Sequence, residues 1–270
     1  MVLWGVFSPA AHAVEWQIAW SDEFTSNGLP NPAYWDYEEG FKRNHEKQYY
    51  TRERLENARV ENGMLIIEAR KEKYPNAHAN PGPKNWSPDF ASYTAASLIT
   101  KGKVEMTYGR LEVRAELPQG AGTWPAIWML GNSYGEGWPS CGEIDIMEFV
   151  GQKPRELSFN IHYYDAKEQE KHGSAQKVFT APKPITGFHV YAIEWFPDRI
   201  DYYFDKKKVH AFYLDRAGKG NENPFRHPQY LLLNLALGGE WGKEIDDSKL
   251  PQQYKIDYVR IYRGKPKSGK

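Results

Sequence analysis

The chain has 270 residues, enough to bury a core of its own, and its 35 Lys and Arg balance 35 Asp and Glu. A net charge of zero with interspersed signs leaves no field to draw in nucleic acid or an anionic membrane, and it favours a neutral substrate. One cysteine, Cys141, excludes an internal disulfide, and no apolar run approaches the ~18 residues of a membrane helix.

In chain order, a short apolar stretch from Val2 to Phe7 precedes Ala11-His12-Ala13, an A-x-A cleavage pattern without a basic n-region. Residues 1–13 are therefore expected to be the remnant of an export signal, and the protein to be secreted. Asn62-Gly63 separates two apolar-rich runs, the pattern of a tight hairpin. Residues 72–92 are rich in Pro, Asn, Ala and Lys and read as a long loop. Strict alternation from Arg110 to Leu117 reads as a half-buried strand. The polar segment 164–186 reads as a loop or an edge excursion. Tyr191–Trp195 and Ile200–Phe204, joined through Pro197-Asp198, form a second hairpin pattern. Tyr230–Leu237 is nearly all apolar, as a strand buried on both faces would be. Tyr258–Tyr262 reads as a closing strand, and the tail 265–270 as flexible. Many short strands with turn signals and no long amphipathic helix predict one all-β domain over 14–264, a sandwich or jelly roll.

Chemistry is concentrated in one stretch, Trp138-Pro139-Ser140-Cys141-Gly142-Glu143-Ile144-Asp145-Ile146-Met147-Glu148-Phe149-Val150-Gly151. Glu143 and Asp145 share a strand face because the side-chain period is two. Glu148, five residues from Glu143, falls on the opposite face unless one extra residue is accommodated. A β-bulge near Ile146-Met147 would bring it back. An ordinary solvent-facing acidic strand does not explain the apolar alternate positions or the nearby Trp124, Trp128 and Trp138. Paired carboxylates in an aromatic setting suit glycoside hydrolysis, with one carboxylate as nucleophile and one carboxylic acid to protonate the leaving oxygen. Asp145 between them, together with Glu143, would keep Glu148 protonated. Loss of the Glu143 charge in a covalent intermediate would then let Glu148 act as base.

The segment Glu143-Ile144-Asp145-Ile146-Met147-Glu148 resembles the signature of glycoside hydrolase family 16, in the form carried by its bacterial laminarinases. Six further segments resemble the family in the right order: Trp20-Ser21-Asp22-Glu23-Phe24, Asn44–Thr51 with His45 replacing a second Asn, Tyr108–Arg114, Trp124–Leu130, Leu233–Trp241 and Ile256–Tyr262. The resemblance spans about Trp20 to Tyr262. It implies a jelly roll of two curved antiparallel sheets with a cleft on the concave face. It assigns Glu143 as nucleophile, Asp145 as assistant and Glu148 as acid/base. The activity implied is endo-hydrolysis of β-1,3-glucan with retention, by a monomer and without a catalytic cofactor. The residue Met147 argues against the lichenase branch, whose pattern resembles Glu-x-Asp-x-Glu. Mixed-linkage glucan, β-1,3-galactan and agarose stay open as substrates, and so does a non-catalytic glucan-binding protein, although such proteins lose the carboxylates.

Other residues take roles from this resemblance. His162, sharing a strand face with Asn160, is expected to assist at the carboxylates. Trp124, Trp128, Trp138 and Trp241 are candidate sugar platforms, since indole stacks on the apolar face of a pyranose. Asn44 and Arg70 are candidate hydrogen-bond donors to the sugar. Glu23, the backbone of Gly63 and Asp257 match positions that bind a structural Ca²⁺ on the convex side, and oxygen ligands suit that ion.

Overall fold

Asn62 and Gly63 both adopt left-handed backbone, with φ of 55° and 75°. That is the geometry of a two-residue turn whose twist matches its flanking strands. It joins Ala58–Glu61 to Met64–Pro75 as a hairpin. The computed structural model describes residues 14–77, 88–132, 137–168 and 171–265, so the leader 1–13 and residues 266–270 lie outside it.

Among the described residues, the strands form two sheets. The first runs Lys207–Tyr213, Arg199–Phe204, Phe188–Trp195, Gly109–Glu116, Gln252–Lys265, Met64–Pro75, Phe90–Ala95 and Gln48–Tyr50. Glu15–Asp22 and Ala58–Glu61 attach to it. The second runs His172–Ser174, Glu156–Tyr164, Glu143–Glu148, Thr123–Gly131, Gln229–Leu237, Ser97–Ile99 and Asp36–Glu38. Lys177–Thr180 pairs with Glu156–Tyr164, and Glu105–Met106 with Gln229–Leu237. Pairing is antiparallel except between Gln48–Tyr50 and Phe90–Ala95. This is the expected all-β jelly-roll architecture. The helical elements of the described residues are short turns, the longest of them four residues.

Alternation decides which side chains meet between the sheets. Leu111, Val113 and Ala115 of Gly109–Glu116 point into one core with Ile127 and Met129, Ile144 and Ile146, and Phe159 and Ile161 of the second sheet. Gln229–Leu237 is buried along its whole length. Its Leu231, Leu233 and Leu235 enter that core, whereas Tyr230 and Leu232 join Ala126 and Trp128 in a small cluster on the other side of the sheet. The second face of this strand is therefore covered by whatever walls the cleft.

Three boundaries differ from expectation. The stretch 72–92 is strand up to Pro75 and again from Phe90, because Arg70, Lys71, Tyr74 and Pro75 continue the pairing with Phe90–Ala95; residues 78–87 lie outside the described ones. The polar segment 164–186 contains two edge strands, where charged residues are normal because one side of the ladder faces water. Lys265, assigned to the tail, pairs with Glu15 and ends the long strand Gln252–Lys265.

Candidate active site

Strand Glu143–Glu148 lies between Thr123–Gly131 and Glu156–Tyr164. Consecutive residues Ile127 and Trp128 face Met147 and Asp145, so Ile146 is the extra residue of a bulge. A matching shift occurs against Asp145 and Glu148 on the other side. Both Ile146 and Met147 are fully buried in the core. The bulge thus absorbs two successive apolar residues on one face and returns Glu148 to the face of Glu143 and Asp145. All three carboxylates line one cleft of about 740 Å³.

Burial dominates the electrostatics. It pushes the Glu143 carboxyl up to about 8, with the Asp145 charge adding to the effect, while His162 and the Trp138 N–H pull it back. Burial also raises Asp145. Glu148 is raised well above the ordinary carboxyl range by burial and then by the charges of Asp145 and Glu143. Three carboxyls this close cannot all ionise near neutral pH. Glu148 therefore holds a proton in the free cleft, and Glu143 and Asp145 share what charge remains. Glu143 and Glu148 are each met by an indole: Trp138 Nε1 donates to Glu143 Oε2 at 2.7 Å, and Trp124 Nε1 to Glu148 Oε1 at 3.2 Å.

His162 faces Glu143 across the strand pair, its Nε2 3.2 Å from Asp145 Oδ2 and 4.0 Å from Glu143 Oε1. Burial lowers its proton affinity below that of an ordinary imidazole. The donor atoms of Glu143, Asp145 and His162 lie within 4.8 Å of one another, a spacing that could hold a metal ion. His162 Nε2, however, is already met by the Asn160 amide, and the carboxyls are held partly protonated by burial, so the cluster suits proton sharing better than a cation.

The remaining expected residues divide. Asn44, Trp124, Trp138 and Trp241 line the cleft. Trp124 and Trp241 meet edge to face at 5.5 Å, forming one aromatic corner. Trp138 is 54% exposed and free to present a face. Trp128 lines the floor but is only 7% exposed. Its N–H donates to Asn234 Oδ1 at 2.7 Å and the Arg43 guanidinium lies 4.9 Å over its ring, so it supports the cleft more than it offers a platform. Arg70 is not brought to the cleft. It stands on Met64–Pro75 in the other sheet, ion-paired to Glu68, because its strand pairs away from the carboxylates.

Glu23 and Asp257 are not arranged as a cation cage either. Arg260 grips Glu23 with two bonds of 2.8 Å, and Arg114 holds Asp257 at 2.5 Å. Two guanidinium charges satisfy both carboxylates and oppose a cation there. Gly63 sits in its hairpin turn, as its positive φ requires.

Several cleft residues were not singled out from the sequence. Arg43 pairs with Glu38, which accepts from Ser97 Oγ. Glu46, raised by burial, accepts from Gln48 Nε2 at 2.7 Å and from the Tyr50 hydroxyl at 3.1 Å. Asn234 Nδ2 donates to that same hydroxyl at 2.9 Å, linking Glu46 to Trp128 through buried polar groups. The signal for Asn234 was available, as the one polar residue among Leu231–Leu237. His172 and Gln176 come from the polar edge segment, where nothing in the pattern distinguished them from solvent-facing residues.

Known proteins match this chain over most of its length. The model of glycosyl hydrolases family 16 matches residues 45–260. A β-glucanase of Rhodothermus marinus is 44% identical over 265 residues, covering 93% of this chain and 86% of that protein. The crystal structure of the laminarinase from Rhodothermus marinus superposes with a TM-score of 0.82 at 43% identity, covering 94% of this chain and 99% of that one. SCLam, a non-specific endo-β-1,3(4)-glucanase, superposes with a TM-score of 0.80 at 37% identity over 96% and 95% of the two chains. With its carboxylate strand, bulge and cleft in the places described, this chain belongs to family 16 of the glycosyl hydrolases.

Proposed function

We propose that the protein hydrolyses internal β-1,3-glucosidic bonds of β-glucans, with retention of configuration. The observation that carries this reading is the bulge that sets Glu143, Asp145 and Glu148 on one face of one cleft, with Glu148 the carboxyl held most firmly protonated. Glu148 protonates the glycosidic oxygen as the bond breaks. Glu143 attacks the anomeric carbon and forms a glycosyl-enzyme. That ester carries no charge, so the repulsion holding the proton on Glu148 falls. Glu148, having given up its proton, then takes one from water, and hydroxide equivalent attack releases the sugar with its original configuration. Trp124, Trp241 and Trp138 present apolar faces to the sugar rings, as suits a neutral substrate.

The β-1,3 linkage is favoured by likeness to a laminarinase and to a non-specific β-1,3(4)-glucanase. The latter likeness also supports mixed-linkage glucan as a second substrate. A panel of laminarin, barley mixed-linkage glucan and agarose with analysis of products separates the two. Laminarin should be cut fastest, to oligosaccharides rather than glucose alone. Rapid cleavage of agarose with laminarin untouched would move the substrate assignment while leaving the carboxylate strand in place. Export completes the proposal, supported by the A-x-A pattern at Ala11-His12-Ala13 and by the size of a polysaccharide substrate. A structural Ca²⁺ at Glu23, the Gly63 backbone and Asp257 would have to compete with Arg260 and Arg114, which pair with those two carboxylates.

A further inference from the structure

Around Glu143 the hydrogen bonds impose a polarity that burial alone does not. The Ile161 amide donates to Asn160 Oδ1 at 2.9 Å, which fixes the orientation of the Asn160 side chain. Its amide nitrogen therefore points at His162 Nε2, 2.9 Å away. A proton on Nε2 would meet the amide hydrogens head on, so Nε2 carries its lone pair and the ring's proton sits on Nδ1. Nδ1 lies 2.7 Å from His172 Nε2, which accepts it. His172 belongs to the edge strand His172–Ser174, whose neighbour Ser174 is in register with His162.

The consequence reaches the carboxylates. Asp145 Oδ2 is buried, accepts no hydrogen bond, and lies 3.2 Å from the same Nε2. That oxygen therefore faces a nitrogen whose one lone pair is already taken by the Asn160 amide, and not an N–H. On the other side of the pair, Trp138 gives its N–H to Glu143 and so favours the anion at Glu143. Trp138 also packs on His172, with ring centres 4.7 Å apart.

We propose that His172 is a positioning residue: it locks His162 in the Nδ1–H form, so that the ring presents to the buried carboxyl pair an unprotonated Nε2 already satisfied by Asn160, and neither an N–H nor an imidazolium charge. The proposal rests on the hydrolase reading only for its kinetic arm. No bond to substrate is made by His172.

The test has two readouts. Nitrogen NMR of ¹⁵N-histidine-labelled wild-type protein, without substrate, should give His162 a protonated Nδ1 and an unprotonated Nε2. A protonated Nε2, alone or as imidazolium at neutral pH, would overturn the proposal whatever the enzyme turns over. Kinetically, His172→Ala should lower kcat on β-glucan roughly tenfold, the effect of losing one such hydrogen bond, with KM within about twofold. His172→Gln, whose amide oxygen can accept from Nδ1, should recover most of that loss. Full kcat in the alanine variant, or a glutamine variant as slow as alanine with an unchanged melting temperature, would also overturn it. Absence of turnover on every β-glucan by wild type would instead defeat the hydrolase reading and leave the tautomer result standing.

Discussion

Glu143 and Glu148 have similar burial but different hydrogen bonds, and their roles follow from that difference. Trp138 donates to Glu143 at 2.7 Å, a short bond that favours the ionised form, whereas the longer bond from Trp124 to Glu148 does less against two neighbouring charges. Trp138→Phe keeps an aromatic face but removes the donor. Hydrogen bonds to charged groups are worth about 1.5–3 kcal/mol, so kcat should fall about tenfold or more. Since the donor lowers the proton affinity of Glu143, its loss should also move the acidic limb of the kcat/KM profile to higher pH. An unmoved limb would show that the bond does not tune the nucleophile. At this scale the carboxylates were legible because three acids interleaved with apolar residues are unusual. Arg70 was misplaced because a strand position does not tell which of two sheets it joins. His172 was missed because it acts through His162, ten residues away, and Glu46 because nothing in its local pattern shows that its neighbours Gln48 and Tyr50 turn with it into a buried cleft.

The strand Glu143–Glu148 departs from strict alternation at a single residue, and that departure is testable as an element. Deleting Met147 leaves Glu-Ile-Asp-Ile-Glu, which alternates without a bulge and keeps all three acids on the cleft face. The cost is the packing of one fully buried side chain, about 2–5 kcal/mol by analogy with truncation of Met to Ala. This variant should fold, melt at lower temperature and retain measurable activity. Deleting Ile144 instead makes Glu143 adjacent to Asp145 and turns one of them into the core, so it should abolish activity. Equal loss in both variants, with both still folded, would mean that the shared face is not what organises the site. The need for a bulge could be read from the offset of five residues, and its site fell within the expected Ile146-Met147. The edge strands of 164–186 were less legible, because exposed edges carry the same polar composition as loops.

Across the whole molecule, the cleft is a region where function opposes stability. A buried carboxyl whose proton affinity is raised on folding stays protonated in the folded chain after the unfolded chain has released its proton. For Glu143 that window runs from the ordinary 4.5 to about 8. Within it the folded state binds more protons, so stability is greatest below the window and falls as pH rises through it. Glu143→Gln removes this one contribution. Its melting temperature should match that of wild type near pH 4 and exceed it at pH 8, by roughly 2–4 °C for each kcal/mol relieved. A gap that is constant with pH would contradict the raised proton affinity. The jelly roll itself was legible from strand alternation and turns, since those are local. Which loops wall the cleft was not, because their positions depend on pairing between strands distant in sequence.

The central claim is a double displacement through Glu143 and Glu148. It is tested most directly by following the anomeric protons by NMR during the first minutes of laminarin digestion, before mutarotation equilibrates the products. The account predicts that new reducing ends appear first as the β-anomer. Initial release of the α-anomer would mean a single inverting attack by water, and would contradict the assignment of Glu143 as nucleophile.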